Sequence, residues 1–227
     1  MSQNPEDNAV VISVRGVASA ETPAERGSVT LTVGFDGPER ADVRARSTRV
    51  QAECIDSITR LHDAKAGPVV EWSADDLQVW AERPWSAEGT QLPLVFHSRA
   101  TLTVMFIDFS RLSLWLDSVA GQDGVAIGGI SWTVTDLTRR ELESRAQRDA
   151  VAHAIDKASV YAASLGLGTV APLELSEPSI FAQPLGRNED ARMFAVAAGA
   201  PVDFAPAPVR VDVEVHAKFA ARAESPS

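Results

Sequence analysis

The chain has one cysteine, Cys54, and one tyrosine, Tyr161, among its 227 residues. A single thiol excludes an internal disulfide framework. Long apolar runs are missing too. No stretch approaches the ~20 apolar residues that a membrane-spanning helix needs. Positive charge is scarce: 21 Lys and Arg face 31 Asp and Glu, a formal charge of −10 with a pI near 4.9. An acidic surface repels phosphate backbones, which argues against nucleic-acid binding, and it disfavours anionic membranes. The opening residues, Met1 to Asn8, show neither a basic n-region nor an apolar h-region. The expected compartment is therefore the cytoplasm.

Recognisable catalytic patterns are equally sparse. The four histidines, His62, His97, His153 and His216, show no metal-ligand spacing, and no second cysteine joins them. His216 alternates with charged residues and reads as a solvated strand residue. His153 sits beside an apolar helical stripe and reads as rim packing. His97 precedes a strand and could meet His216 if their strands paired, a weak metal or pH-sensing idea. Asp75-Asp76 and Glu189-Asp190 are paired carboxylates, but adjacent residues point apart, and acid/base work needs convergence on one substrate atom. Gly128-Gly129 is followed by a strand pattern, not the helix start that a phosphate loop requires. No GxSxG elbow occurs. These absences predict a protein without catalytic residues, metal or cofactor.

What is present suits a folded protein. Hydrophobic residues make up 45% and charged residues 23% of the chain. The length fits one large domain or two small, intimately joined ones. Val10, Ile12 and Val14 alternate with polar neighbours and predict a first strand. Val29, Leu31, Val33 and Phe35 alternate with Ser28, Thr30 and Thr32 and predict a second. Pro38 then suits a helix start, and Val43, Val50, Cys54, Ile58 and Leu61 keep helical spacing to about Ala64. Cys54 is thus a small core-facing thiol. Val69–Trp72 and Leu77–Ala81 read as extended, with a loop over Pro84–Pro93. Ala100, Leu102, Val104 and Phe106 form another strand. Asp108 or Ser110 caps a short helix carrying Leu112, Trp115, Leu116 and Val119. Ile130, Trp132 and Val134 form the next strand.

The strongest helical pattern follows. Leu142, Ala146, Ala150, Ala154, Ala158, Tyr161 and Leu165 form one stripe, Thr138 to Glu141 match a capping box, and Gly166 stops it. Pro172 confines a strand over Val170–Leu175 to an edge or a strand start. Residues 176–208 are Pro/Ala-rich and read as a long loop or arm. Val209, Val211, Val213, Val215, Ala217 and Phe219 then alternate with charges in a last strand. Thr30-Leu31-Thr32-Val33 repeats as Thr101-Leu102-Thr103-Val104, which hints at a duplicated strand–helix–strand unit.

The ordered set resembles the SIMPL-domain family, whose relatives include bacterial periplasmic immunogenic and oxidative-stress defence proteins. The matching residues are Ile12 to Gly16, the strand from Val29, Ser98 to Val104, and Ile127 to Asp136 with the alanine-rich helix after it. Leu165 to Gly168, Ser176-Glu177 and the strand Val209 to Phe219 complete the match. The resemblance implies an α+β fold: antiparallel sheets with packed helices, strand–helix–strand units, a long helix in the C-terminal half and a final edge strand. It also implies self-association into symmetric homo-oligomers, and it brings no catalytic residues. Most bacterial relatives are exported, so their stress roles transfer poorly to a chain without an export signal. On this reading residues 9–220 form one SIMPL-like domain. The arm spans 176–208, and disordered tails cover 1–8 and 221–227.

The five tryptophans divide. Trp115 and Trp132 lie on apolar faces and predict core. Trp80 and Trp85 flank the Pro84 loop with no evident core role. With Ile180, Phe181, Phe194 and Phe204 of the arm they make the candidate interaction surface. The expected function is a non-catalytic, self-associating protein, with a stress-related scaffold as its setting. The alternative is a small-ligand or protein-partner binding module that uses the Trp80–Trp85 loop.

Overall fold

The computed structural model describes residues 9–85, 87, 89–178 and 206–223. Its class is the expected one, α+β with antiparallel sheets. The strands are β1 (Val10–Thr22), β2 (Arg26–Val33), β3 (Asp36–Gly37), β4 (Val69–Ala74), β5 (Gln78–Glu82), β6 (Val95–Phe106), β7 (Val125–Thr133), β8 (Ala171–Ser176) and β9 (Val209–Ala221). The helices are α1 (Arg40–Leu61), α2 (Phe109–Ala120) and α3 (Asp136–Ser164). The chain divides into two compact units, one of them spanning Ala24–Thr133.

In the Ala24–Thr133 unit the long strand β6 is central. It pairs β2 and β3 on one side and β4 and β5 on the other, and β7 extends the sheet beyond β2. The alternation read from sequence sends Val29, Leu31, Val33, Leu102, Val104 and Phe106 to one face, where α1 and α2 cover them. Cys54 is fully buried there, as its helical spacing predicts. Burial pushes its thiol up, with Glu53 adding to the shift, which disfavours the thiolate. Trp115 is core, and its indole Nε1–H donates to Ser57 Oγ at 2.9 Å. Trp132 packs partly buried against that core, edge-on to Phe109. Asp108 caps α2 by accepting from Arg111 N.

The repeated Thr-Leu-Thr-Val segments are direct neighbours. Thr30 pairs Thr103, Leu31 pairs Leu102, and Thr32 pairs Thr101. β4 lies beyond β6 and β7 beyond β2, so the strand ending each strand–helix–strand unit pairs the first strand of the other. That arrangement is a local two-fold, the geometry a duplicated half-sheet would take.

The other unit holds β1, α3, β8 and β9. Its sheet runs β1-β9-β8. The last strand is therefore central and not an edge. Alternation tells which face of a strand is buried, but its neighbours come from distant chain, and β9 pairs β1 residue for residue from Val10↔Ala221 to Thr22↔Val209. β9 also runs through Ala221, where the tail was expected to begin. β8, with Pro172, is an edge as predicted.

α3 lays Leu142, Ala146, Ala150, Ala154, Ala158 and Ala162 against β1 and β9; Tyr161 and Leu165, expected on this stripe, are exposed, because the 3.6-residue period brings Ala162 and not Tyr161 onto the line four residues after Ala158. Gly16 makes that approach possible. A Cβ there would collide with the Ala150 carbonyl oxygen and sit 2.8 Å from Ala154 Cβ. The helix starts earlier than the capping box at Thr138 predicts. Thr135 is the cap: it is extended, with φ −66° and ψ 159°, and its side chain accepts from Thr138 N, which places Thr138 inside the first turn. Gly166 ends α3 at φ +70°, a left-handed conformation that glycine adopts without strain.

Candidate functional site

The most chemically varied exposed cluster lies on the Ala24–Thr133 unit, on the sheet face turned away from α1. There β6 is flanked by β3 and β5. Asp36 and Trp80 are both register partners of His97, so the three side chains form one row across three strands. Asp36 Oδ1 lies 2.6 Å from His97 Nδ1. The Trp80 indole stacks on the imidazole, with ring centroids 5.5 Å apart and planes 23° apart. Trp80 nevertheless keeps 45% of its surface exposed. In the next row Arg99 pairs Gln78, both exposed. Thr101 and Thr32 make the row after that.

The local sequence explains the row. Ser98 is buried and holds the β2–β3 junction, accepting from Phe35 N at 3.0 Å and meeting Ser47 Oγ at 2.6 Å. Its neighbours His97 and Arg99 must then point to the opposite face. Arg46 buttresses β3: its Nη2 donates to the Asp36 carbonyl, and its guanidinium lies 4.8 Å from the centre of the Phe35 ring. A carboxylate oxygen only accepts, so the hydrogen of this contact sits on Nδ1, and Nε2 of His97 is directed away from Asp36.

Of the predicted surface, Trp80 belongs to this row. Trp85 follows on the loop after β5, 67% exposed, in a bridge with Gln91, while Leu92 N donates to Pro84 O. Ile180, Phe181, Phe194 and Phe204 lie outside the described residues. His97 and His216 lie on strands of different sheets and each takes a carboxylate, Asp36 and Glu214 respectively. Asp75 and Asp76 sit in the β4–β5 turn, where Asp75 N donates to Thr101 O. Glu189 and Asp190 fall outside the described residues. Among the described residues no three His, Cys, Asp or Glu side chains gather as metal ligands, and no helix is long and apolar enough to cross a membrane.

Asp36, Gln78 and Arg99 were not singled out by sequence reasoning. Alternation along β6 puts His97 and Arg99 on one face, but only cross-strand register brings Asp36, some sixty positions away, to His97.

The second notable feature is the outer edge of β1. Among the described residues this thirteen-residue strand pairs β9 on one side only. Val17 carries its N–H and C=O on the free side, and His153 of α3 meets both there, its Nδ1 3.1 Å from Val17 N and 2.9 Å from Val17 O. The same alternation turns the main-chain groups of Val11, Ser13 and Arg15 outward.

A model of a protein family, SIMPL, described as a protein of unknown function (DUF541), matches residues 12–219, nearly the whole chain. No curated protein matches the chain.

Proposed function

The chain belongs to the SIMPL family, whose function is unknown, and from that premise we propose that it is a non-catalytic, self-associating scaffold. The observation that carries this reading is the open edge of β1. An unpaired strand edge is a row of unsatisfied donors and acceptors that recruits another strand. Two other edges are blunted. β8 has six residues, a proline and a register shift between Pro172 and Glu174. β7 carries a register irregularity opposite Val29–Leu31. β1 has neither device, and from Val10 to Arg15 nothing guards it among the described residues. A two-fold pairing of β1 with a second copy, centred on Ser13, places Arg15 opposite Val11 and sets no like charges together.

Light scattering on the purified chain tests this. The expected mass is a defined multiple of 24.2 kDa. Ser13→Pro removes an outward donor and leaves the β9 ladder intact, so it should shift the mass toward monomer. A wild-type monomer at every concentration overturns the proposal.

A second reading, a binding module at Trp80 and Trp85, is favoured by the exposure of an indole held rigid on a strand. Rigid exposed aromatics are efficient contact groups, because little conformational freedom is lost when they bind.

A further inference from the structure

We infer that the Asp36–His97–Trp80 row and the Arg99–Gln78 row beside it form a binding platform for a neutral oligosaccharide. This rests on the second reading above and names its ligand class. Three observations combine.

First, the indole is exposed and pre-oriented. One face of Trp80 stacks on His97, and Asp36 holds that imidazole through Nδ1. A sugar ring has an apolar C–H face and a polar rim, and an oriented indole is a flat partner for the former.

Second, the surrounding polar groups are uncommitted and of mixed type. Nε2 of His97 has no partner among the described residues, and Asp36 keeps a second carboxylate oxygen. No hydrogen bond or ion pair ties up the side chain of Arg99 or of Gln78 among the described residues. A carboxylate oxygen and an imidazole nitrogen thus lie in one row, and a guanidinium fork and a carboxamide lie in the next. Neighbouring sugar hydroxyls, each both donor and acceptor, match such a set. The rows are about 6.8 Å apart, the repeat of an antiparallel strand. Beyond them the same face continues in hydroxyls, Thr101 beside Thr32 and then Thr103 beside Thr30. From His97 to Thr103 this strip is about 20 Å long, room for several sugar units and not one.

Third, the charge balance selects a neutral ligand. Asp36 and Arg99 oppose one another on adjacent rows, while the chain as a whole carries −10. A phosphorylated or sulfated chain would meet that repulsive field with one free arginine to offset it. A neutral glycan loses nothing to it.

The test is calorimetric titration of the full chain with neutral hexasaccharides of β-1,4-glucose, β-1,3-glucose, α-1,4-glucose and β-1,4-N-acetylglucosamine. At least one should bind. Trp80→Ala should weaken that binding by about tenfold or more, with Trp80→Phe recovering part of it. Arg99→Ala should weaken it with Trp80 intact, and unchanged thermal unfolding shows that each variant is folded. Binding that survives Trp80→Ala and Arg99→Ala unchanged overturns the site. Silence toward every hexasaccharide at millimolar concentration, with a Trp80-dependent response to a metabolite or peptide panel, overturns the glycan class alone. Silence toward both removes the binding reading as well.

Discussion

The two units cover one face of an antiparallel sheet with side chains of opposite size. In the Ala24–Thr133 unit the helices meet the sheet through Phe106, Leu31, Ile58, Leu102 and Leu112, all fully buried. In the other unit α3 meets β1 and β9 through a stripe of alanines and the bare backbone of Gly16. Large side chains bury more apolar area per residue and leave a cavity when removed. Small ones bury less, and their contact depends on close approach of the backbones. The first interface is therefore sensitive to deletion and the second to addition.

Three measurements break or sharpen that contrast. The largest effect is expected from Phe106→Ala, which truncates the biggest fully buried side chain among the described residues and one whose ring centre lies 5.3 Å from that of Trp115. Its cost should be about 3–5 kcal/mol in denaturant unfolding. Amide exchange should locate the loss in the Ala24–Thr133 unit. Gly16→Val should cost about 1–3 kcal/mol, with the loosened amides in β1 and α3. The obstructing Ala150 oxygen is main chain, so no rotamer change relieves it. If Gly16→Val is neutral, the close-approach account of α3 fails.

The smallest effect concerns the charged face of the β1-β9-β8 sheet. Ser19 Oγ donates to Asp212 Oδ1 at 2.5 Å, and Arg210 Nε donates to the same oxygen at 2.8 Å. The Ser19 hydrogen bond and then Arg210 hold the Asp212 carboxyl below its ordinary value of 3.8. A carboxyl lowered in the folded state adds stability above its unfolded pKa and loses it as pH falls through the folded one. The group is largely solvated, so its share is roughly a few tenths of a kcal/mol. Ser19→Ala should reduce stability slightly at pH 7 and leave it unchanged well below pH 3.8. Equal loss at both pH values would assign the effect to packing or to the hydrogen bond that Arg210 Nη2 donates to Ser19 Oγ.

Much of the fold was legible because periodicity records burial. The period-2 pattern of β2, β6 and β9 named their buried faces, and the stripe from Leu142 to Ala158 named that of α3, although Tyr161 and Leu165 at its end are exposed. Caps were less secure. Asp108 caps α2 as read, whereas the stronger pattern at Thr138 lost to Thr135, whose extended backbone presents its oxygen to the first turn. The candidate site was legible in part. Trp80 stood out as an aromatic without a core, but its row with His97 and Asp36 depends on the register of three strands.

The sequence by itself determined the composition of each face, the helices with their stops, and the membership of a family that spans residues 12–219. Those properties depend on residues within a few positions of one another, which local sterics and burial patterns encode. Only the tertiary structure decided that β9 is central, that the repeated Thr-Leu-Thr-Val segments pair with each other, and that β1 has β9 as its one strand partner among the described residues, with His153 at Val17 on its other side. Hydrogen bonding between strands joins segments as far apart as Val10 and Ala221, and a strand's pattern specifies what it buries without naming its neighbour.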